Sequence, residues 1–104
     1  MQREAGIPIL ECDFQAQIIE LAELYGWLVF SIPDSRRATC KGFPDLVLLH
    51  PQAHRFLVRE LKMKGRRLSR EQETWLSGLR ACGLDTDVWY PCDWQRIMQI
   101  LCHP

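Results

Sequence analysis

"GFPDLVLLHPQAHRFLVRELKMKG", residues 42–65, contains two apolar runs, 45–50 and 56–61, separated only by PQAHR. A connection that short joins antiparallel neighbours, so the stretch is expected to be a β-hairpin. Asp45, Glu60 and Lys62 interrupt it with charge where apolar residues would be easier to accommodate. Successive strand residues face opposite sides, which puts Phe56, Val58, Glu60 and Lys62 on one face and Leu57, Arg59 and Leu61 on the other. Asp45 opens the first strand and Glu60 lies near the end of the second, so antiparallel pairing carries both carboxylates to the same end of the sheet. Pro44 has no N–H to donate and marks the edge of regular pairing just before Asp45.

Outward from the hairpin, the flanking segments supply the rest of a small fold. Upstream, Phe14, Ile18, Leu21 and Tyr25 recur at helical spacing across 11–25, and Gly26 stands where a left-handed C-cap belongs. WLVFSI (27–32) is aromatic and branched enough for a strand, and 33–43 reads as a basic loop. Downstream, KMKGRR (62–67) is a second basic loop. Ser69 and Gln72 have capping-box spacing at the start of a second helix, whose one side carries Leu68, Gln72, Leu76, Leu79 and the terminating Gly83. DTDVWY (85–90) is expected to be a fourth strand, and Asp93 to cap a closing helix bearing Trp94, Ile97, Met98 and Leu101. The order is αβββαβα. The first three strands form a meander, and the second helix is the crossover that brings strand four parallel to strand three. The expected class is α/β, one domain over 1–104 with a mixed four-stranded sheet flanked by helices.

Composition agrees with an ordinary globular domain: 104 residues, 47% hydrophobic and 25% charged. No apolar run approaches the roughly 18 residues of a membrane span, and the N-terminus lacks the layout of a signal peptide, so a cytoplasmic location is expected. Cys12, Cys40, Cys82, Cys92 and Cys102 are odd in number and scattered, which favours reduced, mostly packed thiols over a zinc site. His50, His54 and His103 have no ligand-like spacing and are expected on the surface. Net charge is zero, but residues 36–70 hold ten bases (Arg36, Arg37, Lys41, Arg55, Arg59, Lys62, Lys64, Arg66, Arg67 and Arg70) and only two acids, Asp45 and Glu60. A basic middle between acidic flanks suggests a face that meets phosphates, the alternative being a solvated face without a partner.

Two close carboxylates repel, and partial burial raises the cost by roughly several kcal/mol unless positive charge compensates. A divalent cation would supply it. Hard oxygen donors suit Mg²⁺, which takes one or two protein carboxylates and fills its remaining positions with water and substrate phosphate. A cation so placed polarises a phosphodiester, while an adjacent lysine orients the attacking water. The competing reading is structural, with Asp45 capping the turn and Glu60 and Lys62 forming an edge pair. Glu11 lies in register with the apolar line of the first helix and Gln72 with that of the second, which suggests a shared polar pocket. For Gln72 a capping role alone, and for Glu11 an exposed helix start, remain the alternatives.

These residues resemble a known pattern. Pro44 and Asp45, fourteen intervening residues, then Glu60, Leu61 and Lys62 are similar to the PD-(D/E)xK nuclease signature. The finer resemblance is to the VRR-NUC domain family of virus-type replication-repair nucleases: Glu11 and Gln15 on helix one, Gly42 to Asp45, Glu60 and Lys62, then a basic glycine turn with Leu68, Ser69 and Gln72. It covers about residues 11–90, with Phe43 standing where many relatives carry a small branched residue. The resemblance implies a restriction-endonuclease-like core with Mg²⁺ or Mn²⁺ bound by Asp45, Glu60 and the carbonyl of Leu61, Glu11 joining directly or through water. It further implies that Lys62 positions the nucleophilic water and that Gln72 supports the site. Stand-alone members resemble phage-encoded homodimers that cut branched DNA such as four-way (Holliday) junctions, whereas members within larger DNA-repair proteins cut flaps. Arg36, Arg37 and Lys41 before the site, and Lys64, Arg66, Arg67 and Arg70 after it, are then expected to grip phosphates. The alternatives are a non-catalytic nucleic-acid-binding module on the same fold and a sequence-specific restriction-type enzyme.

Overall fold

The computed structural model describes residues 10–32 and 40–104. The elements run α1 (Glu11–Leu24), β1 (Leu28–Ser31), β2 (Leu46–His50), β3 (Arg55–Leu61), α2 (Arg70–Ala81), β4 (Asp85–Trp89) and α3 (Trp94–Cys102), the expected order. The strands form one sheet in the order β1-β2-β3-β4. The first three pair antiparallel as a meander, and β4 joins β3 in parallel after the α2 crossover.

One face of this sheet carries the main core. Leu46 and Leu48 of β2, Leu57 and Leu61 of β3 and Trp89 of β4 pack with Phe14, Ile18 and Ala22 of α1 and Ile97 and Leu101 of α3. Trp27 closes that layer, its indole N–H donating to the carbonyl of Leu101 at 2.9 Å. The buried line of α1 runs Phe14, Ile18, Ala22 rather than on through Leu21 to Tyr25. Tyr25 is exposed because it lies beyond the last helical residue, where the chain has left the helical path and periodicity no longer decides its facing. Gly26 then turns the chain with φ of 92°, a conformation glycine adopts freely.

The opposite face is covered unevenly. α2 lies over the β3–β4 side, burying Leu76, while Leu28, Phe30 and Phe56 remain largely exposed among the described residues. Register joins them into one patch, because Leu28 pairs with Leu49 and Leu49 with Phe56, and Phe30 pairs with Val47 and Val47 with Val58.

Three expectations need correction here. His50 is buried, not on the surface: its Nδ1 accepts the N–H of Ala53 at 3.2 Å, its Nε2 lies 2.9 Å from the carbonyl of Tyr25, and its ring meets Trp27 edge to face. It shapes the β2–β3 connection, a 3-10 turn over Pro51–Ala53 followed by His54 in the left-handed region. Asp93 does not cap α3 with its side chain. Its Oδ2 accepts the N–H of Tyr90 at 2.9 Å, closing the 3-10 turn over Pro91–Asp93 that precedes the helix. The cysteines are free as expected, but Cys12, Cys82 and Cys92 are exposed rather than packed.

Candidate active site

Register places Asp45 opposite Glu60. Leu46 pairs with Arg59, so one antiparallel step further sets these two residues against each other at the sheet end. Another step sets Pro44 against Leu61, and Pro44 has no N–H for a ladder. Asp45 takes over there: its Oδ2 accepts the Leu61 N–H at 2.8 Å. An extended residue points its N–H and C=O to the same side, so the Leu61 carbonyl also faces Asp45, while the N–H of Lys62 reaches β4 through the carbonyl of Trp89 at 3.0 Å. Asp45 and Glu60 are 1% and 2% exposed. Two carboxylates are thus buried on facing strands, with Lys62 half-buried two residues beyond Glu60.

Gln72 links this pair to α2. Its Nε2 donates to Glu60 Oε2 at 3.1 Å, and its Oε1 accepts the Ser69 N–H at 2.8 Å. The Gln72 N–H in turn donates to Ser69 Oγ at 3.1 Å, completing a capping box. Capping and contact with Glu60 are therefore simultaneous rather than alternative, since the cap occupies the amide oxygen and leaves the NH₂ end for the carboxylate.

Two contacts not foreseen from the sequence dock the Asp45 loop on α2. Gly42 has φ of 89°, and a Cβ there would lie 2.5 Å from the backbone carbon of Glu71, so the loop can approach the first turn of α2 only without a side chain. Phe43 meets Trp75 edge to face with ring centroids 5.1 Å apart. The glycine preceding Pro44 was a legible signal for close backbone approach; nothing in the sequence pairs Phe43 with Trp75.

Other expected site residues are placed differently. Glu11 is the first residue of α1 and is exposed, because the packed part of that helix begins only at Phe14; Gln15 is half-buried. Lys41, Lys64, Arg66, Arg67 and Arg70 are exposed, whereas Arg36 and Arg37 lie outside the described residues. Arg59, one of the ten bases counted over residues 36–70, does not join a phosphate-facing surface: it is 3% exposed, donates to Asp85 Oδ1 at 3.0 Å and to two carbonyls, and lies over the Trp89 ring. Burial pushes its guanidinium below the usual arginine range, and Asp85 opposes that shift. Arg55 is likewise directed to the opposite sheet end, over Trp27 and near the carbonyl of Pro104.

Among the described residues, no group of three or more His, Cys, Asp or Glu converges as a self-sufficient metal cage. Two carboxylates and one carbonyl are instead a partial set of hard oxygen donors, which fits Mg²⁺ or Mn²⁺ that completes its shell with water and phosphate, and does not fit zinc.

Comparison with known proteins agrees with this geometry. The model of the VRR-NUC domain matches residues 11–90. A Fanconi-associated nuclease 1 homolog from Caenorhabditis elegans is 42% identical over 57 residues, 55% of this chain; the match spans 7% of that protein's length. A solved VRR-NUC domain superposes with a TM-score of 0.69 at 21% identity, covering 89% of this chain and 95% of that one. Hjc, a Holliday junction resolvase from Archaeoglobus fulgidus, superposes with a TM-score of 0.54 at 18% identity, covering 75% of this chain and 64% of its own. The two structural likenesses show a shared fold.

Proposed function

Because the chain belongs to the VRR-NUC domain family, we propose that it is a metal-dependent endonuclease that hydrolyses phosphodiester bonds in branched DNA, four-way junctions in particular, as a homodimer. The observation that carries this reading is the burial of Asp45 and Glu60 opposite each other at the sheet end, with Lys62 next along the same strand face. A protein that only bound nucleic acid would have no need to keep two acids and a lysine, the full set of such a metal site, at one sheet end.

Asp45, Glu60 and the Leu61 carbonyl would hold Mg²⁺ or Mn²⁺, and exposed Glu11 would contribute through water. When bound, the ion supplies Lewis-acid polarisation of the scissile phosphate and a more acidic water. Glu60 is kept in place by the Gln72 amide, and Asp45 by the Leu61 N–H. Lys62, two residues beyond Glu60, would orient the attacking water and steady the developing negative charge. Exposed Lys41, Lys64, Arg66, Arg67 and Arg70 would contact phosphates, so affinity should fall steeply with salt. Four-way junctions are favoured because the structural neighbour Hjc is a Holliday junction resolvase. The open apolar patch of Leu28, Phe30 and Phe56 is the surface a second copy would cover.

The test is incubation of labelled four-way, flap and linear DNA with and without Mg²⁺, alongside Asp45→Asn. Metal-dependent cutting of the junction that Asp45→Asn abolishes is expected. Cutting without metal, or by the variant, rejects the chemistry; tight binding by both forms without cutting favours a binding module. For the assembly, Phe30→Glu should convert a dimer to a monomer in sedimentation.

A further inference from the structure

Trp75 has no part in the core, yet its position is closely set. It lies one helical turn beyond Gln72, about 4.5 Å along the axis, on the helix whose Gln72 amide holds Glu60. Its ring partner Phe43 stands two residues before Asp45. Each ring therefore belongs to the segment that carries one side of the candidate site. Gly42, fitted against the backbone of Glu71, fixes where Phe43 arrives.

Trp75 remains 39% exposed. The edge-to-face contact, with planes at 76°, leaves aromatic surface uncovered. Beside it is an open, almost wholly apolar cleft of about 350 Å³ lined by Thr74, Trp75, Gly78, Leu79 and Cys82. Gly78 adds no side chain to the cleft wall, and a Cβ there would project into open space. Glycine inside a helix costs about 1 kcal/mol relative to alanine. An apolar slot walled by an indole suits the face of a nucleobase, not a phosphate. Exposed Lys41, next to Gly42, and Arg70, at the start of α2, provide the charge to hold the backbone of the same strand.

We propose that Trp75, braced by Phe43, is a stacking site for an unpaired base adjacent to the scissile phosphate, and so a determinant of preference for DNA with unstacked bases over continuous duplex. This rests on the nuclease reading for the word "scissile" only; stacking itself requires no cleavage. Base–aromatic stacking is worth enough that its loss weakens binding by about 5- to 100-fold.

The experiment is performed in EDTA, where no cleavage occurs, on full-length protein. Fluorescence polarisation with labelled oligo(dT) and with a blunt duplex of equal length compares wild type, Trp75→Ala and Trp75→Phe, with thermal melts as the folding control. The expected result is a loss of that size for oligo(dT) in Trp75→Ala, recovery in Trp75→Phe, and little change for the duplex. Oligo(dT) should also quench tryptophan emission in wild type and not in Trp75→Phe, because Trp27 and Trp89 are buried and half-buried Trp94 packs against the core on the sheet face away from α2. Equal oligo(dT) affinity in all three proteins overturns the proposal, as does an equal loss for the duplex. Dissociation of a wild-type dimer by Trp75→Ala also overturns it, by assigning the rings to a protein interface. If these binding results hold while wild type cuts no DNA with Mg²⁺, the nuclease reading fails and the stacking site stands.

Discussion

Arg59 and Glu60 are consecutive residues of β3, both buried, on opposite faces of one sheet. Arg59 is partnered within the fold by all but its Nε: Asp85 pairs with it, carbonyls of Val58 and Asp85 accept from it, and Trp89 lies beneath it. Glu60 stands opposite Asp45 in the strand register, and its Oε2 accepts from the Gln72 amide. A buried charge completed by an opposite charge contributes to the fold. A buried carboxylate set opposite another across the ladder is the arrangement the proposed cation site requires. On the proposed function, these neighbouring positions of equal burial separate into a structural and a chemical role.

Substitutions can break this contrast. The largest expected effect is on catalysis: Asp45→Asn should lower junction cleavage by at least about a thousandfold, roughly 4 kcal/mol of transition-state stabilisation. Its melting temperature should change little, since the amide oxygen can still accept from Leu61. Arg59→Ala should do the reverse, lowering stability in urea by about 3 kcal/mol through lost packing on Trp89 and lost hydrogen bonds to Asp85 and two carbonyls, while leaving the proposed metal ligands in place. Gly42→Ala should cost about 2 kcal/mol, read by thermal melting, because its φ and the Glu71 contact both oppose a side chain. The smallest effect is the sharpest. Gln72→Glu keeps an acceptor for the Ser69 N–H and so the cap, yet it replaces the donor facing Glu60 with a carboxylate oxygen, which should lower stability by about 1 kcal/mol or more and reduce cleavage about tenfold. Gln72→Ala, losing cap and contact, should affect both.

The order of elements, the meander, the parallel fourth strand and the encounter of Asp45 with Glu60 were legible because strand alternation and a short hairpin connection leave little choice of register. Gln72 was legible for the same kind of reason, its capping spacing being local. What was not legible depended on partners distant in sequence. Counting bases along the chain assigned Arg59 to a phosphate-binding face, although alternation had already placed it beside Leu57 and Leu61; only the neighbouring strand brought Asp85. His50 is internal because Gly26 and the Tyr25 carbonyl come to meet it, and Glu11 is exposed because helical phase says nothing about where along a helix packing begins. The Phe43–Trp75 contact likewise depends on how closely the Gly42 loop approaches α2.

The most direct test of the central claim is titration of Mn²⁺ into wild type, Asp45→Asn, Glu60→Gln and Arg59→Ala, followed by calorimetry in the absence of DNA. Binding to wild type and Arg59→Ala with strong weakening in both carboxylate variants is the predicted result. Equal binding by all four proteins, or loss only in Arg59→Ala, would contradict a cation held between Asp45 and Glu60.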